Sequence, residues 1–238
     1  MIDATKLTVR VFADGADIAS IRKLAEDPLI AGFTTNPTLM RKAGVDDYEQ
    51  FARELLECVN DRPISFEVFS DDFDDMHRQA RKIASWGDNV FVKIPITNTE
   101  GASSLGLVRR LTAEGVKLNI TALMASHQVR AAASALEGGP AAFVSVFAGR
   151  IADTGREPEP IMAEALETLR PLPDVRLIWA SPREVLNILH ADRIGCHIIT
   201  VTHDLLAKVG LFGRDLTEFS LETVRMFHRD ATGAGYIL

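Results

Sequence analysis

Lys93 stands in the middle of a short apolar run, Asn89-Val-Phe-Val-Lys-Ile-Pro95. With Val90, Phe91, Val92 and Ile94 around it, the lysine reads as part of a buried, β-branched strand. An ammonium without a partner is costly there, because charge is taken out of water with nothing in exchange. One way out is to lose the proton. A desolvated lysine has a lowered pKa and becomes a nucleophilic amine that can form a Schiff base with a carbonyl. The other way out is structural, since a lysine at a strand end can snorkel to water. The company it keeps favours the chemical reading. Asp14, Thr34, Asn36 and Glu67 fall at or near the ends of other apolar runs, and so do Asn119, Thr121, Ser145, Arg150 and Ser181.

The elements that must position these groups follow from hydrophobic periodicity. Strands are predicted over 7–13, 30–33, 64–69, 89–95, 116–120, 142–147, 175–180 and 197–201. Helices are predicted between them. Asp17 caps the first, whose apolar face is Ile18, Ile21, Leu24 and Ala25. The next covers about 46–60, and another shows Phe73, Met76, Ala80 and Ile83 on one face. Leu105–Leu111 is helical and stops at Gly115. An alanine-rich helix runs to about Leu136 and closes at Gly138-Gly139. Pro158 and Pro160 precede a helix with Ile161, Ala165 and Leu169 inward, and a further helix runs to about Asp192. Segments over about 203–209 and 215–228 end the series, and Ala231–Leu238 reads as a tail. Eight strands alternating with helices predict a single (β/α)8 TIM barrel with an additional C-terminal helix. A doubly wound sheet would show a glycine-rich phosphate turn after its first strand, where this chain has Ala13-Asp-Gly-Ala16. In a barrel, polar residues at the C-terminal strand ends share one active-site face.

Composition narrows the functional classes. The 238 residues are 47% hydrophobic and 25% charged, which suits one globular domain over 1–238. A net charge of −7 speaks against a nucleic-acid surface. No apolar run reaches the length of a membrane span, and the N-terminus lacks signal-peptide architecture. Cys58 and Cys196 stand apart in no paired motif, so a reduced, cytoplasmic protein is expected. The six histidines show no metal-site spacing, and no cofactor or metal is expected.

An amine ringed by hydroxyls, amides and carboxylates can bind a polyhydroxylated carbonyl compound. Its protonated imine is an electron sink, so the neighbouring carbon–carbon bond can break. A carboxylate must take the proton of the adjoining hydroxyl, and either Asp14 or Glu67 can serve. Asn36, Asn119 and Ser145 are neutral groups suited to sugar hydroxyls. Arg150 and Arg183 have the planar fork that matches phosphate oxygens, or they pair with surface carboxylates.

The chain resembles the transaldolase family through five motifs in order. They are Gly32-Phe-Thr-Thr-Asn-Pro37, Phe91-Val-Lys-Ile-Pro95, Leu118-Asn-Ile-Thr121, Ser145-Val-Phe-Ala-Gly-Arg-Ile151 and Ala180-Ser-Pro-Arg183. The resemblance implies a metal-free α/β barrel that moves a dihydroxyacetone unit from a ketose phosphate to an aldose phosphate. It implies Lys93 as the Schiff-base lysine and Asp14 as the base for the hydroxyl beside the breaking bond. Glu67 and Thr121 would handle a catalytic water. Asn36, Asn119 and Ser145 would hold the dihydroxyacetone part, Arg150, Ser181 and Arg183 the phosphate, and Thr34 would support the second partner of the bond.

Fructose-6-phosphate aldolases share most of these motifs and release free dihydroxyacetone. They typically carry glutamine at the position of Glu67, tyrosine at that of Phe147, and apolar residues at those of Asn119 and Ser145. This chain has the transaldolase-like residue at all four, so transfer is expected over release. Two positions depart from the family pattern. Trp179 stands where a much smaller residue is usual. By strand parity it points with Ser181, either narrowing the site or filling the barrel centre. Pro182 replaces a common aromatic. Together they leave room for a different anionic group, such as another sugar phosphate or a sulfonate. The short length resembles the small transaldolases, which assemble as rings of five or ten. A homo-oligomer is therefore expected, with about 211–238 packing on a neighbour.

Overall fold

A computed structural model describes residues 6–236. Eight parallel strands close into one barrel in sequence order. They are β1 (Arg10–Asp14), β2 (Ile30–Thr34), β3 (Ile64–Glu67), β4 (Val90–Pro95), β5 (Leu118–Leu123), β6 (Ala142–Val146), β7 (Val175–Trp179) and β8 (Ile198–Thr202). The helices between them are α1 (Ile18–Ala25), α2 (Pro37–Lys42), α3 (Tyr48–Cys58), α4 (Phe73–Ala84), α5 (Leu105–Ala113) and α6 (Ser126–Leu136). Then follow α7 (Ala148–Ala152), α8 (Glu159–Leu169), α9 (Leu186–Arg193), α10 (His203–Leu206) and α11 (Leu216–Ala234). The predicted TIM barrel with its extra C-terminal helix is the observed fold.

Local chemistry explains the helix starts. Asp17, Asp47 and Asp72 each accept a backbone N–H of the first turn of α1, α3 and α4. In α4, Asp74 and Asp75 lie in the first turn and Arg81 and Lys82 in the last, which complements the helix dipole. Pro160 sits inside the first turn of α8 rather than before it. A proline is tolerated there because that turn lacks an intrahelical acceptor for its N–H anyway. The segment read as a tail from Ala231 is helical as far as Ala234, and Gly235 in the left-handed region caps it. Residues 237 and 238 of that predicted tail lie outside the described residues.

Alternation along the strands sorts the interior into two cores. Residues such as Val11, Phe66, Val92, Ile120, Val144 and Ile199 face outward and pack under the helices. Phe12, Phe91, Phe143, Ile178, Ala180 and Ile198 face inward. Three of these rings plug the barrel. Phe91 and Phe143 stack with centroids 4.0 Å apart, and Phe12 meets Phe143 edge-on at 5.7 Å. The plug needs Gly32, because a Cβ there would lie 2.6 Å from the Phe12 ring. Each plugging ring stands two residues before a polar one, namely Asp14, Lys93 and Ser145, so those side chains leave the same face one step nearer the C-terminal mouth.

Candidate active site

Strand register sets the site. Glu67 pairs across the ladder with Lys93, and Lys93 with Asn119, while Asp14 pairs with Thr34. Because all are inward positions, neighbours in register become neighbours in the barrel lumen. Lys93 is buried, and its charge is not unpaired. Nζ lies 2.9 Å from Glu67 Oε2 and donates to the carbonyl of Thr35 at 2.9 Å. The cost that a lone strand lysine would carry is therefore met by a partner, and the same carboxylate is placed to take the ammonium proton. Breaking such a buried pair from one side costs about 3–5 kcal/mol.

Glu67 is the last residue of β3. The Tyr48 hydroxyl satisfies its backbone on both sides, accepting from Glu67 N–H and donating to Glu67 C=O, each at 2.8 Å. Tyr48 is wedged against Phe66, Phe69 and Trp86. Burial pushes its phenol pKa up, so it stays a neutral bridge.

Asp14 ends β1 and accepts from Thr34 Oγ1 at 2.8 Å and from Asn36 Nδ2 at 3.3 Å. Thr34 Oγ1 also lies 2.5 Å from Thr200 Oγ1. Burial raises the pKa of Asp14. The positive charge of Lys93 and the hydrogen bonds from Thr34 and Asn36 offset this in part. Asn36 has two tasks, since its Oδ1 accepts from Leu39 N–H and caps α2 while Nδ2 faces Asp14. α2 is an addition to the helix predicted at about 46–60. It is too short for periodicity to reveal, although Asn36-Pro37 is a helix-start signal.

A second polar chain crosses the lumen. Ser145 Oγ donates to Asn119 Oδ1 at 2.7 Å, and Asn119 Nδ2 donates to Ser65 Oγ at 3.0 Å. Thr121, on the inward face of β5, is buried, and its hydroxyl has no partner among the described residues. It remains free for a water or a substrate oxygen. The next residue, Ala122, holds φ at +64°, and Ser181 after β7 holds +59°. These are the two non-glycine residues with positive φ among those described, and both adjoin the site. Such backbone is costly and tends to cluster at functional sites.

The rim is built differently. α7, a short helix that periodicity did not separate from the end of β6, carries Arg150 next to Gly149. A Cβ on Gly149 would lie 1.5 Å from the Ser181 carbonyl oxygen, so glycine lets α7 touch the end of β7. That contact places Arg150, Ser181 and Arg183 on one side of the mouth. Arg150 is exposed, with its guanidinium carbon 5.8 Å from the centroid of the half-buried Phe147 ring. Arg183 is exposed and forked onto Asp153, its Nε donating to Oδ1 at 3.0 Å. The pairing holds the Asp153 pKa below the usual carboxylate range. A cavity of 830 Å³ opens beside Asp14 and runs past Pro182, Arg183, Lys42 and His203.

Trp179 does neither of the things its parity suggested. It is fully buried in the outer core with its ring against His190 of α9, at 6.5 Å between centroids. Ile178 and Ala180 are the inward residues, and the left-handed backbone at Ser181 breaks the alternation that would have set Trp179 beside it. Trp179 neither narrows the site nor fills the barrel centre. Pro182 stays at the site, on the wall of the cavity beside Asp14.

Four groups in the network escaped sequence reasoning. Ser65 and Thr200 stand on inward strand positions, two residues from Glu67 and Thr202, and parity was signal enough to find them. Asp153 and Tyr48 act across tertiary contacts, which no local pattern announces. Taken together, the lumen offers an amine that can exchange a proton with one carboxylate, a second carboxylate of raised pKa, and neutral donors between them. That set suits acid–base and covalent chemistry on a polyol.

Comparison with known proteins identifies the family. The sequence model described as Transaldolase/Fructose-6-phosphate aldolase matches residues 11–235. Proteins named probable transaldolase from Dehalococcoides mccartyi, Thermoanaerobacter sp. and Methanococcus maripaludis are 34%, 34% and 33% identical to this chain. The matches cover 84%, 94% and 90% of this chain and 90%, 98% and 94% of theirs. Solved structures of a putative lyase/mutase and a putative phosphonomutase, both from Burkholderia cenocepacia J2315, have TM-scores of 0.60 and 0.57. They are 13% and 10% identical, and cover 91% and 93% of this chain and 85% and 94% of their own. That likeness concerns the fold alone. Among the described residues no helix is long and apolar enough to cross a membrane. With its motifs, its barrel and a family match over nearly its whole length, this chain belongs to the transaldolase/fructose-6-phosphate aldolase family.

Proposed function

We propose that the protein is a transaldolase in the strict sense. It would move a dihydroxyacetone unit from a ketose phosphate, fructose 6-phosphate or sedoheptulose 7-phosphate, to an aldose phosphate. The observation that carries this reading is the buried Lys93–Glu67 pair at 2.9 Å, with Asp14 in the same lumen. Glu67 takes a proton from Lys93, and the free amine attacks the C2 carbonyl. Water leaves as the imine forms, handled by Glu67 and the unpartnered Thr121 hydroxyl. Asp14 takes the proton of the C4 hydroxyl. The C3–C4 bond then breaks, the electron pair passes into the protonated imine, and an aldose phosphate departs. The bound enamine adds to the acceptor aldehyde, and hydrolysis frees Lys93.

Asn36, Asn119 and Ser145 would hold the three-carbon unit, and Thr34 would orient Asp14. Arg150, Ser181 and Arg183 would take the phosphate, with Arg183 exchanging Asp153 for it. No metal or cofactor enters this scheme. The Schiff-base lysine and the carboxylates supply the activation that a Lewis acid would otherwise give. The setting would be the pentose phosphate pathway in a cytoplasmic compartment, and the assembly a homo-oligomer in which α11 packs on a neighbouring copy.

A second reading, action on a sugar bearing a different anionic group, is favoured by Pro182 beside Arg183 on the cavity wall, and release of free dihydroxyacetone is the alternative outcome of the same chemistry. The test is product analysis with fructose 6-phosphate, with and without an aldose phosphate acceptor. Transfer should exceed release of free dihydroxyacetone by at least about tenfold, and comparable rates would reject the assignment. Phe147→Tyr should raise release at the expense of transfer, because a phenol near the lumen can protonate the enamine whereas a phenyl ring cannot. An unchanged ratio removes Phe147 from the argument.

A further inference from the structure

The N-terminal mouth of the barrel, opposite Lys93, has a chemistry of its own. Arg10 opens β1 and Arg176 is the second residue of β7. Alternation puts Arg10 on the face of Phe12 and Arg176 on the face of Ile178, so both stems leave the barrel's inner surface. Below the Phe12–Phe91–Phe143 plug lies a cavity of 550 Å³. Arg10, Arg176, His197, Thr8 and Asp174 line it, and the three rings form its roof. Among the described residues neither guanidinium has an ion-pair or hydrogen-bond partner. Asp174, the one carboxylate on the wall, is paired with neither. His197 Nδ1 accepts from Leu177 N–H at 3.0 Å, which leaves Nε2 as the protonated nitrogen of the neutral ring and a donor. Burial and the two arginines hold the His197 pKa low.

Two guanidiniums sharing one recess without a counter-ion repel each other, and an anion between them turns that repulsion into charge-assisted hydrogen bonds. The recess exceeds the needs of a bare oxyanion and lies in the range of small-molecule sites. Its aromatic roof offers a flat apolar surface. A protein of net charge −7 that keeps two unpaired arginines facing one cavity has a local charge contrast suited to capturing anions.

We propose that this mouth is a binding site for an organic phosphate. Its dianion is held by Arg10 and Arg176 with His197 as a further donor, and its apolar body lies against the phenylalanine plug. The site is separate from the proposed phosphate groups at the C-terminal rim and does not depend on the reaction proposed there.

The test is calorimetric titration of the full chain with phenyl phosphate, repeated on Arg10→Gln/Arg176→Gln and on Arg150→Gln/Arg183→Gln. All four side chains are exposed, so the folds should persist, and circular dichroism checks this. Arg176→Gln alone is the fallback should the double variant misfold. Binding should weaken by at least about tenfold when the N-terminal pair or Arg176 is removed, since each guanidinium supplies charge-assisted hydrogen bonds to the dianion. It should persist in the C-terminal pair variant, and the His197 ring protons should shift on titration in both wild type and that variant. Unchanged affinity without Arg10 and Arg176, loss of all binding with the C-terminal pair, or no binding to wild type at millimolar concentration would each overturn the proposal.

Discussion

At Asp14 burial and function pull in opposite directions. Burial disfavours the carboxylate, and Lys93, Thr34 and Asn36 recover only part of the cost, so the folded pKa lies above the ordinary value. A carboxylate of raised pKa is a better general base near neutrality. The sign for stability follows from proton linkage. The folded state holds this proton more tightly than the unfolded chain, so stability falls as pH rises from about 4, the unfolded value, through the folded one. Asp14→Asn removes that penalty while keeping acceptors for Thr34. It should unfold at a higher temperature than wild type at pH 7, with the gap narrowing as pH falls towards about 4. Turnover should drop roughly 10²–10⁴-fold. A variant that is less stable at pH 7, or that turns over normally, contradicts this account of Asp14. The candidate residues were legible in the sequence because polar groups on an otherwise apolar inner face break the pattern. Lys93, Glu67, Asn119 and Ser145 all show this break. Trp179 misled because one left-handed residue, Ser181, ended the alternation before the next side chain.

Strands and most long helices were readable to within a few residues, α11 was cut six residues short, and the short helices α2 and α7 were not read at all. α2 and α7 span too few turns for an apolar stripe, yet both hold site groups, through Asn36 and Arg150. Their placement depends on close backbone approach rather than on a hydrophobic face. Gly149 tests this directly. In Gly149→Ala a Cβ would overlap the Ser181 carbonyl, so α7 must move or Ser181 must change conformation. We expect a loss of about 3 kcal/mol and, for a chain of this size, a fall in Tm of about 6–12 °C. KM for the sugar phosphate should rise as Arg150 and Ser181 part. Gly106→Ala is the control, because nothing lies within 4 Å of its Cβ and alanine favours a helix, so its Tm should hold or rise. A Gly149→Ala protein with unchanged Tm and KM would show that the α7–β7 contact does not shape the rim.

For the whole molecule, α11 is the unfinished part. It runs 19 residues and buries none of them within the chain. Leu216, Val224 and Phe227 are 80%, 59% and 62% exposed. A helix in water with this much apolar surface gains little from its own chain, since most helical stability comes from tertiary packing. A second copy of the chain is the partner that the homo-oligomer expectation supplies. Light scattering at micromolar concentration should therefore give a multiple of the chain mass. Val224→Asp/Phe227→Asp should lower that mass without unfolding the barrel, whose inner and outer cores do not include α11. A monomeric wild type would refute the idea. Sequence could mark this helix and its apolar residues, but not that they stay uncovered, because coverage is a property of the folded surface.

Every step proposed for the candidate active site begins with Lys93 forming an imine with a ketose phosphate. The protein is incubated with fructose 6-phosphate, reduced with borohydride, and digested for peptide mass analysis. A dihydroxyacetone-sized adduct is expected on the peptide carrying Lys93, absent from Lys93→Ala, whose circular dichroism should match wild type. An adduct on another lysine, or none on folded protein with any ketose phosphate tried, would contradict it.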